Sequence, residues 1–265
     1  MAWDRQISVK TPQEIELMRA AGKINAEALT AASSIVQPGV TTADLNAAAE
    51  DVLKKHGVYS PFKNYPGPYP YPTSTTISVN EELVHGIPGN RKLKEGDIVS
   101  VDCGTVYEGF VADSALTVGV GTISQQAKRL LEVTKKALEI GISTMVDGNH
   151  VGDIGAAIEQ YVRSCGFYVT HTYTGHGVGR QMHEGPSVPN FGRPGMGVLL
   201  RNGMTIALEP MVLIGTSETR VMPDEWTVIS KDRSLTAHFE HSVAITENGP
   251  VILTAFDDGD SSGRK

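Results

Sequence analysis

The sequence predicts an α+β fold made of two related halves, with a curved, mostly antiparallel sheet covered by helices. Three features lead there. The first is a motif written twice, as Leu93-Lys-Glu-Gly-Asp-Ile-Val-Ser-Val-Asp102 and as Leu200-Arg-Asn-Gly-Met-Thr-Ile-Ala-Leu-Glu209. Each copy runs leucine, base, polar residue and glycine, then an alternating apolar stretch that ends on a carboxylate. Glycine permits a tight turn, and the alternation suits a strand with a buried face. The second feature is a further acid in the strand-like run after each copy, Asp113 within 110–118 and Glu240 within 238–245. The third is that two helical segments precede the strands in each half, so the supersecondary order repeats together with the motif. One catalytic unit over residues 1–255 is expected, with pseudo-repeats at about 12–121 and 122–254 and a flexible polar tail over 256–265.

Thr11-Pro-Gln-Glu14 opens the first helix with a capping threonine, a proline in the first turn and the glutamate of a capping box. Ile15, Met18, Ala21, Ile24, Ala28 and Leu29 then recur at helical spacing, and the helix should end before Pro38-Gly39. A second helix is expected from Thr41-Thr-Ala-Asp44 to Gly57, after Lys54-Lys-His56, whose charge suits the negative helix end. The prolines of residues 60–73 exclude a helix or a central strand. That segment reads either as a surface polyproline-type connector or as a preordered pocket wall carrying Phe62, Tyr65, Tyr69 and Tyr71. The wall is favoured, because the segment leads through a strand at 75–79 into His85-Gly-Ile-Pro88. Two more helices are expected at about 124–141 and 150–166.

Composition narrows the function. The 265 residues hold 23 basic and 30 acidic side chains, a net charge of −7, which argues against nucleic acid or an anionic membrane as an obligatory partner. Cys103 and Cys165 form no CxxC pattern and are too few for a disulfide scaffold, so a reducing, cytoplasmic setting is expected. Strand alternation should turn Cys103 away from the face that carries Asp102. The longest uncharged stretch, residues 64–80, is broken by prolines, and the first residues lack the apolar region of a secretion signal.

Asp102, Asp113, Glu209 and Glu240 therefore come as two pairs from duplicated halves. Acids on exposed strand faces would never meet, but duplication of both pairs favours a shared site. Four buried carboxylates repel one another strongly, and bound divalent metal relieves that repulsion. His176 lies among glycines in Gly175-His176-Gly177-Val-Gly179, His183 follows in His183-Glu-Gly-Pro186, and His85 precedes the first acid strand on its own glycine turn. The remaining histidines, His56, His150, His171, His238 and His241, have no comparable setting. One imidazole with four acids suits a pair of divalent transition ions, and two dications would leave the site near neutral. A bridging hydroxide can then exist at ordinary pH, since the metals lower the pKa of bound water.

The ordered set Asp102, Asp113, His176, Glu209 and Glu240, with His-Gly-Ile-Pro, Gly-His-Gly and Met-Thr-Ile-Ala-Leu-Glu-Pro around it, closely resembles the type I methionine aminopeptidases over about residues 8–254. The resemblance implies the pita-bread fold and two divalent ions, Co, Mn, Fe or Zn. It implies that Asp102 chelates one ion and His176 the other, that Asp113 and Glu240 bridge both, and that Glu209 completes the second. It further implies that His85 contacts the scissile amide near its nitrogen and that His183 binds the carbonyl oxygen and its tetrahedral intermediate. A metal-bridging hydroxide would attack the carbonyl, with Glu209 carrying the proton to the departing amine. Phe62, Tyr65, Tyr71, Thr76, His85, Met182, His183 and Trp226 would line the methionine pocket. Thr76 stands where relatives often have cysteine, and Met182 where many have an aromatic residue.

The implied substrates are N-termini of nascent polypeptides with a small second residue, and Met1-Ala2 of this chain is itself such a sequence. A monomer is implied, and ribosome association follows from work on nascent chains, although no basic patch supports it. A proline-specific peptidase of the same fold is the nearest rival, but those relatives usually carry an additional N-terminal domain. A binding protein that has lost its metal ligands is another, and five competent ligand side chains argue against it. The 31 residues from Glu209 to Glu240 leave no room for the long helical insertion of type II relatives.

Overall fold

Thr11 caps the first helix in the manner its sequence requires: its hydroxyl accepts the Glu14 N–H at 3.3 Å, and the Glu14 carboxylate accepts the Thr11 N–H at 2.8 Å. The structure, a computed structural model, describes residues 6–256; Met1-Ala2 and residues 257–265 of the expected tail lie outside the described residues, while Phe256, its expected first residue, is half-buried against the core. Helix α1 spans Pro12–Ser34 and α2 spans Thr42–Lys55, the latter with its own capping box from Thr41 and Asp44. Helix α3, Gln125–Thr144, is capped by Ser124, and α4, Val151–Ser164, starts after His150. Helix α3 runs a turn beyond its expected end at Gly141. A Cβ there would meet Ile158 and Leu208 at 2.8 Å, so this glycine marks close approach of helix to helix and sheet and is no stop signal.

The strands are β1 (Thr75–Val79), β2 (Glu82–Val84), β3 (Ile98–Tyr107), β4 (Phe110–Gly119), β5 (Tyr168–Val169), β6 (Gly175–Gly177) and β7 (Glu184–Val188). After them come β8 (Thr205–Leu208), β9 (Met211–Leu213), β10 (Thr219–Val221), β11 (Val228–Ser230), β12 (Thr236–His238), β13 (Glu240–Thr246) and β14 (Gly249–Ile252). An eight-stranded sheet runs β1-β3-β4-β13-β8-β6-β7, with β14 beside β13, and every pairing in it is antiparallel. Two three-stranded sheets, β10-β11-β2 and β12-β9-β5, complete the β structure of the described residues.

Each helix pair covers its own half of the large sheet. Leu29, Leu45 and Leu53 of α1 and α2 pack on Ile77, Val99, Val101 and Cys103, so Cys103 does face away from Asp102 into the helical layer. Leu130, Leu138, Ile154 and Ile158 of α3 and α4 pack on Ile206, Leu208 and Val243 of that sheet and on Val212 of the β12-β9-β5 sheet. Fully buried side chains of this kind contribute about 1.5–3 kcal/mol each. The halves join where β4 meets β13, with Ala115 opposite Glu240 and Ser114 opposite His241. Two hydroxyls fasten that seam. Ser242 accepts the Asp113 N–H and donates to the Asp113 carbonyl, both at 2.9 Å. Thr117 likewise accepts the His238 N–H at 3.0 Å and donates to the His238 carbonyl at 2.7 Å.

Candidate metal centre

Strand register alone brings the acids together. Ala115 of β4 lies between Asp102 on β3 and Glu240 on β13, and its methyl leaves room for both carboxylates on that face. Asp113, two residues before Ala115, projects from the same side of β4. His241 opposes Leu208 across β13 and β8, which sets Glu240 against Glu209 one step past the end of β8. On the far side of β8, His176 of β6 pairs with Ala207. The two carboxylate pairs and the imidazole thus meet at the middle of the large sheet.

They share a cavity of about 130 Å³ with Phe62, Tyr65, Tyr71, Thr76, His85, Met182, His183 and Trp226. One water needs only about 10–15 Å³ on this measure, so the space suits a residue-sized ligand. Every residue singled out from the sequence lines this cavity except Tyr69, which corrects the expected aromatic wall. Tyr69 is 38% exposed, and its hydroxyl donates to the Asp224 carbonyl at 2.8 Å, outside the cavity. Tyr71 is the better placed ring. It meets Trp226 edge-on at 5.1 Å, and its hydroxyl donates to the Gly86 carbonyl at 2.9 Å, fixing the turn beside His85. His85 takes φ 61°, and Gly86 cannot carry a side chain because a Cβ would lie 2.3 Å from the Ile77 carbonyl oxygen.

The electrostatics call for a cation. Burial pushes Asp102 up to about 7, with the Thr76 hydroxyl, 3.3 Å from its Oδ2, pulling the other way. Burial and then the negative charge of neighbouring acids hold Asp113, Glu209 and Glu240 well above the usual carboxylate range. Asp102 Oδ1, Asp113 Oδ1 and Glu240 Oε1 are buried without a hydrogen-bond partner. Among the described residues, no lysine or arginine lines the cavity. One ligand atom each from Asp113, His176 and Glu240 lie within 4.8 Å of one another. His176 is also in the right tautomer. Its Nδ1 lies 2.9 Å from the Gly177 carbonyl, which only accepts, so Nδ1 carries the proton and the Nε2 lone pair faces Asp113 at 3.7 Å and Glu209 at 3.6 Å. Hard oxygens, one imidazole and unpaired buried charge fit a divalent metal.

One residue that sequence reasoning set aside belongs here. His238 is buried, with Nε2 3.6 Å from Glu209 and 3.9 Å from Glu240, and neither ring nitrogen has a hydrogen-bond partner. Burial, and then the proximity of His85, push it down to about 3, so it is a neutral imidazole. The spacing His238-Phe-Glu240 holds the clue, because residues two apart on extended chain share a face. His241, by contrast, turns away and lies 2.9 Å from the Thr254 hydroxyl.

A buried, acid-rich centre that fits divalent metal, on a sheet of this topology, defines a metal-dependent hydrolase. The chain belongs to metallopeptidase family M24, whose pattern matches residues 16–247. It is 48% identical over 249 residues to a methionine aminopeptidase of Clostridium acetobutylicum, covering 94% of this chain and 98% of that one. It is 45% identical to methionine aminopeptidase 1 of Bacillus subtilis, over 94% of this chain and 99% of the relative. Among solved structures it superposes on a methionine aminopeptidase from Thermotoga maritima with a TM-score of 0.91 at 47% identity, covering 94% of this chain and 99% of that one. A prolidase from Pyrococcus furiosus shares the fold alone, with a TM-score of 0.75 at 23% identity over 93% of this chain and 65% of its own. The architecture is the pita-bread fold, a curled antiparallel half-barrel with four helices.

Proposed function

We propose that the chain is a methionine aminopeptidase that removes the N-terminal methionine of nascent polypeptides when the second residue is small. The observation that supports this most is a single cavity in which four acids and three imidazoles, His85, His176 and His183, face an aromatic and thioether wall. On this reading Asp102, Asp113, His176, Glu209 and Glu240 hold two divalent ions of the Mn, Fe, Co or Zn type. Such ions acidify water and polarise a peptide carbonyl. Phe62, Tyr65, Tyr71, Thr76, Met182 and Trp226 receive the flexible, polarisable methionine side chain.

Three side chains handle the reacting peptide. Glu209 takes a proton from the attacking water and delivers it to the departing amine. The Tyr65 hydroxyl lies 2.7 Å from His183 Nδ1, and donation there makes Nε2 the protonated nitrogen, a donor to the carbonyl oxygen as negative charge develops. His85, held down to about 4 by burial, meets the leaving nitrogen as a neutral imidazole. Residues 1–255 act as one catalytic unit with repeats at about 12–121 and 122–254, working as a monomer in the cytoplasm.

The test is hydrolysis of the peptides Met-Ala-Ser and Met-Lys-Ser, with and without chelator, followed by restoring the stripped protein with each ion in turn. Cleavage of Met-Ala-Ser alone, abolished by chelator and restored by a transition ion, is expected. Equal cleavage of both peptides, or activity that ignores chelator, overturns the reading.

A further inference from the structure

The turn that carries Met182 and His183 into the cavity belongs to no helix, so something else must hold it. Glu184, at its end, does so through backbone amides: its Oε1 accepts the N–H groups of Arg180 at 2.7 Å and Gln181 at 3.1 Å. Its other oxygen, Oε2, accepts from Lys10 and Ser8, residues of the segment ahead of α1. Lys10 and Glu184 are only 6% and 7% exposed. Burial by itself would raise the Glu184 carboxyl, yet donation from Lys10 and Ser8 holds it below the usual range.

The segment that delivers Lys10 is fixed at three further points. The Lys10 N–H donates to the Gly203 carbonyl at 2.7 Å, and Ile7 forms a parallel bridge with Gly185 at the edge of the large sheet. Gly203 has φ +86°, and a Cβ there would meet Val9 at 2.6 Å and the Lys10 carbonyl oxygen at 2.8 Å. The matching glycine of the first motif, Gly96, has nothing of the kind, its nearest neighbour being the Thr122 oxygen at 3.9 Å. The lysine stem lies across Gly179, where a Cβ would fall 2.2 Å from Lys10 Cε. The second copy of the repeated motif therefore doubles as the seat of an N-terminal arm, which the first copy lacks.

We propose that Lys10 is a positioning residue for peptide hydrolysis: through Glu184 it sets the turn that aims His183 at the substrate carbonyl. The inference rests on the methionine aminopeptidase reading. None of the five candidate metal ligands lies in residues 180–184, although the His183 ring packs 4.3 Å from that of His176, so losing the latch displaces His183 first and metal content is measured beside the rate. A displacement of about 1 Å in a group of this kind costs up to about 100-fold in rate.

The experiment is a double-mutant cycle on the metal-loaded full chain, with Lys10→Met, His183→Ala and the pair, assayed on Met-Ala-Ser. Lys10→Met is expected to lower kcat about 30- to 100-fold with KM changed less than about threefold and metal content unaltered. In the His183→Ala background, adding Lys10→Met should cost less than about threefold, because the residue it acts through is already gone. Lys10→Arg should recover most of the activity, since it restores the charge and a donor. If Lys10→Met does not fold, Lys10→Gln is measured by the same criteria. Full activity of Lys10→Met, full activity of His183→Ala, or multiplicative losses in the pair overturns the inference. Absence of cleavage by the unaltered chain overturns the methionine aminopeptidase reading instead, so the two failures are distinct.

Discussion

Replacing Asp113 by Asn should stabilise the metal-free protein while weakening its hold on divalent ions. Asp113 and Glu240 offer oxygens within 4.8 Å of each other in a buried cavity that no lysine or arginine among the described residues lines. At that separation and an effective dielectric of about 20, two unit charges repel by about 3.5 kcal/mol. Neighbouring acids relieve part of this by taking up protons, which leaves a gain of about 2 kcal/mol for Asp113→Asn near pH 8. In a chain of this size that is a rise in Tm of about 4–8 °C.

The gain must depend on pH. These carboxyls bind protons more tightly folded than unfolded, so their stabilising effect is complete below their ordinary range near 4. It is lost as pH rises through the elevated values, about 7 in the case of Asp102. Thermal melts of stripped wild type and Asp113→Asn should therefore coincide near pH 4 and separate by pH 8. Saturating manganese should raise the wild-type Tm and scarcely move that of the variant. A stripped variant less stable than wild type at pH 8, or an equal gain at both pH values, would refute the charge argument in favour of simple packing.

Two further outcomes follow from the same geometry. His238→Leu replaces two buried, unpartnered ring nitrogens with apolar atoms, so stripped protein should melt no lower than wild type while kcat falls about 10-fold; a large drop in Tm would mean that the imidazole supports the fold. Gly67→Ala would put a Cβ 2.3 Å from Trp226 Cζ2, forcing that ring into the cavity space. Its KM for methionyl peptides should rise about 10-fold, read by steady-state kinetics, and an unchanged KM would exclude Trp226 from the pocket.

Much of the site was legible because strand chemistry is local. An acid that closes an alternating apolar run stands out against its neighbours, and a motif copied at Asp102 and Glu209 announces that both copies serve one purpose. Helix caps were equally plain, since Thr11 with Glu14 and Thr41 with Asp44 satisfy orphan amides within a few residues. Gly141 misled because a glycine that permits contact and a glycine that ends a helix look alike in one dimension. Tyr69 misled for a related reason. A proline-rich run orders its backbone without saying which rings turn inward.

What the sequence determined by itself was the two-half plan, the four carboxylates with His176, and the chemistry such a donor set can support. Those follow from residue type and short-range periodicity. What only the tertiary structure decided was everything that depends on register across the β4–β13 seam and on chain segments far apart in sequence. Thr117 clamps the His238 backbone from the other half of the chain, and Lys10 reaches Glu184 across 174 residues of chain. Long-range pairs of this kind arise from packing of surfaces that assemble only once both halves are folded, and no local pattern encodes them.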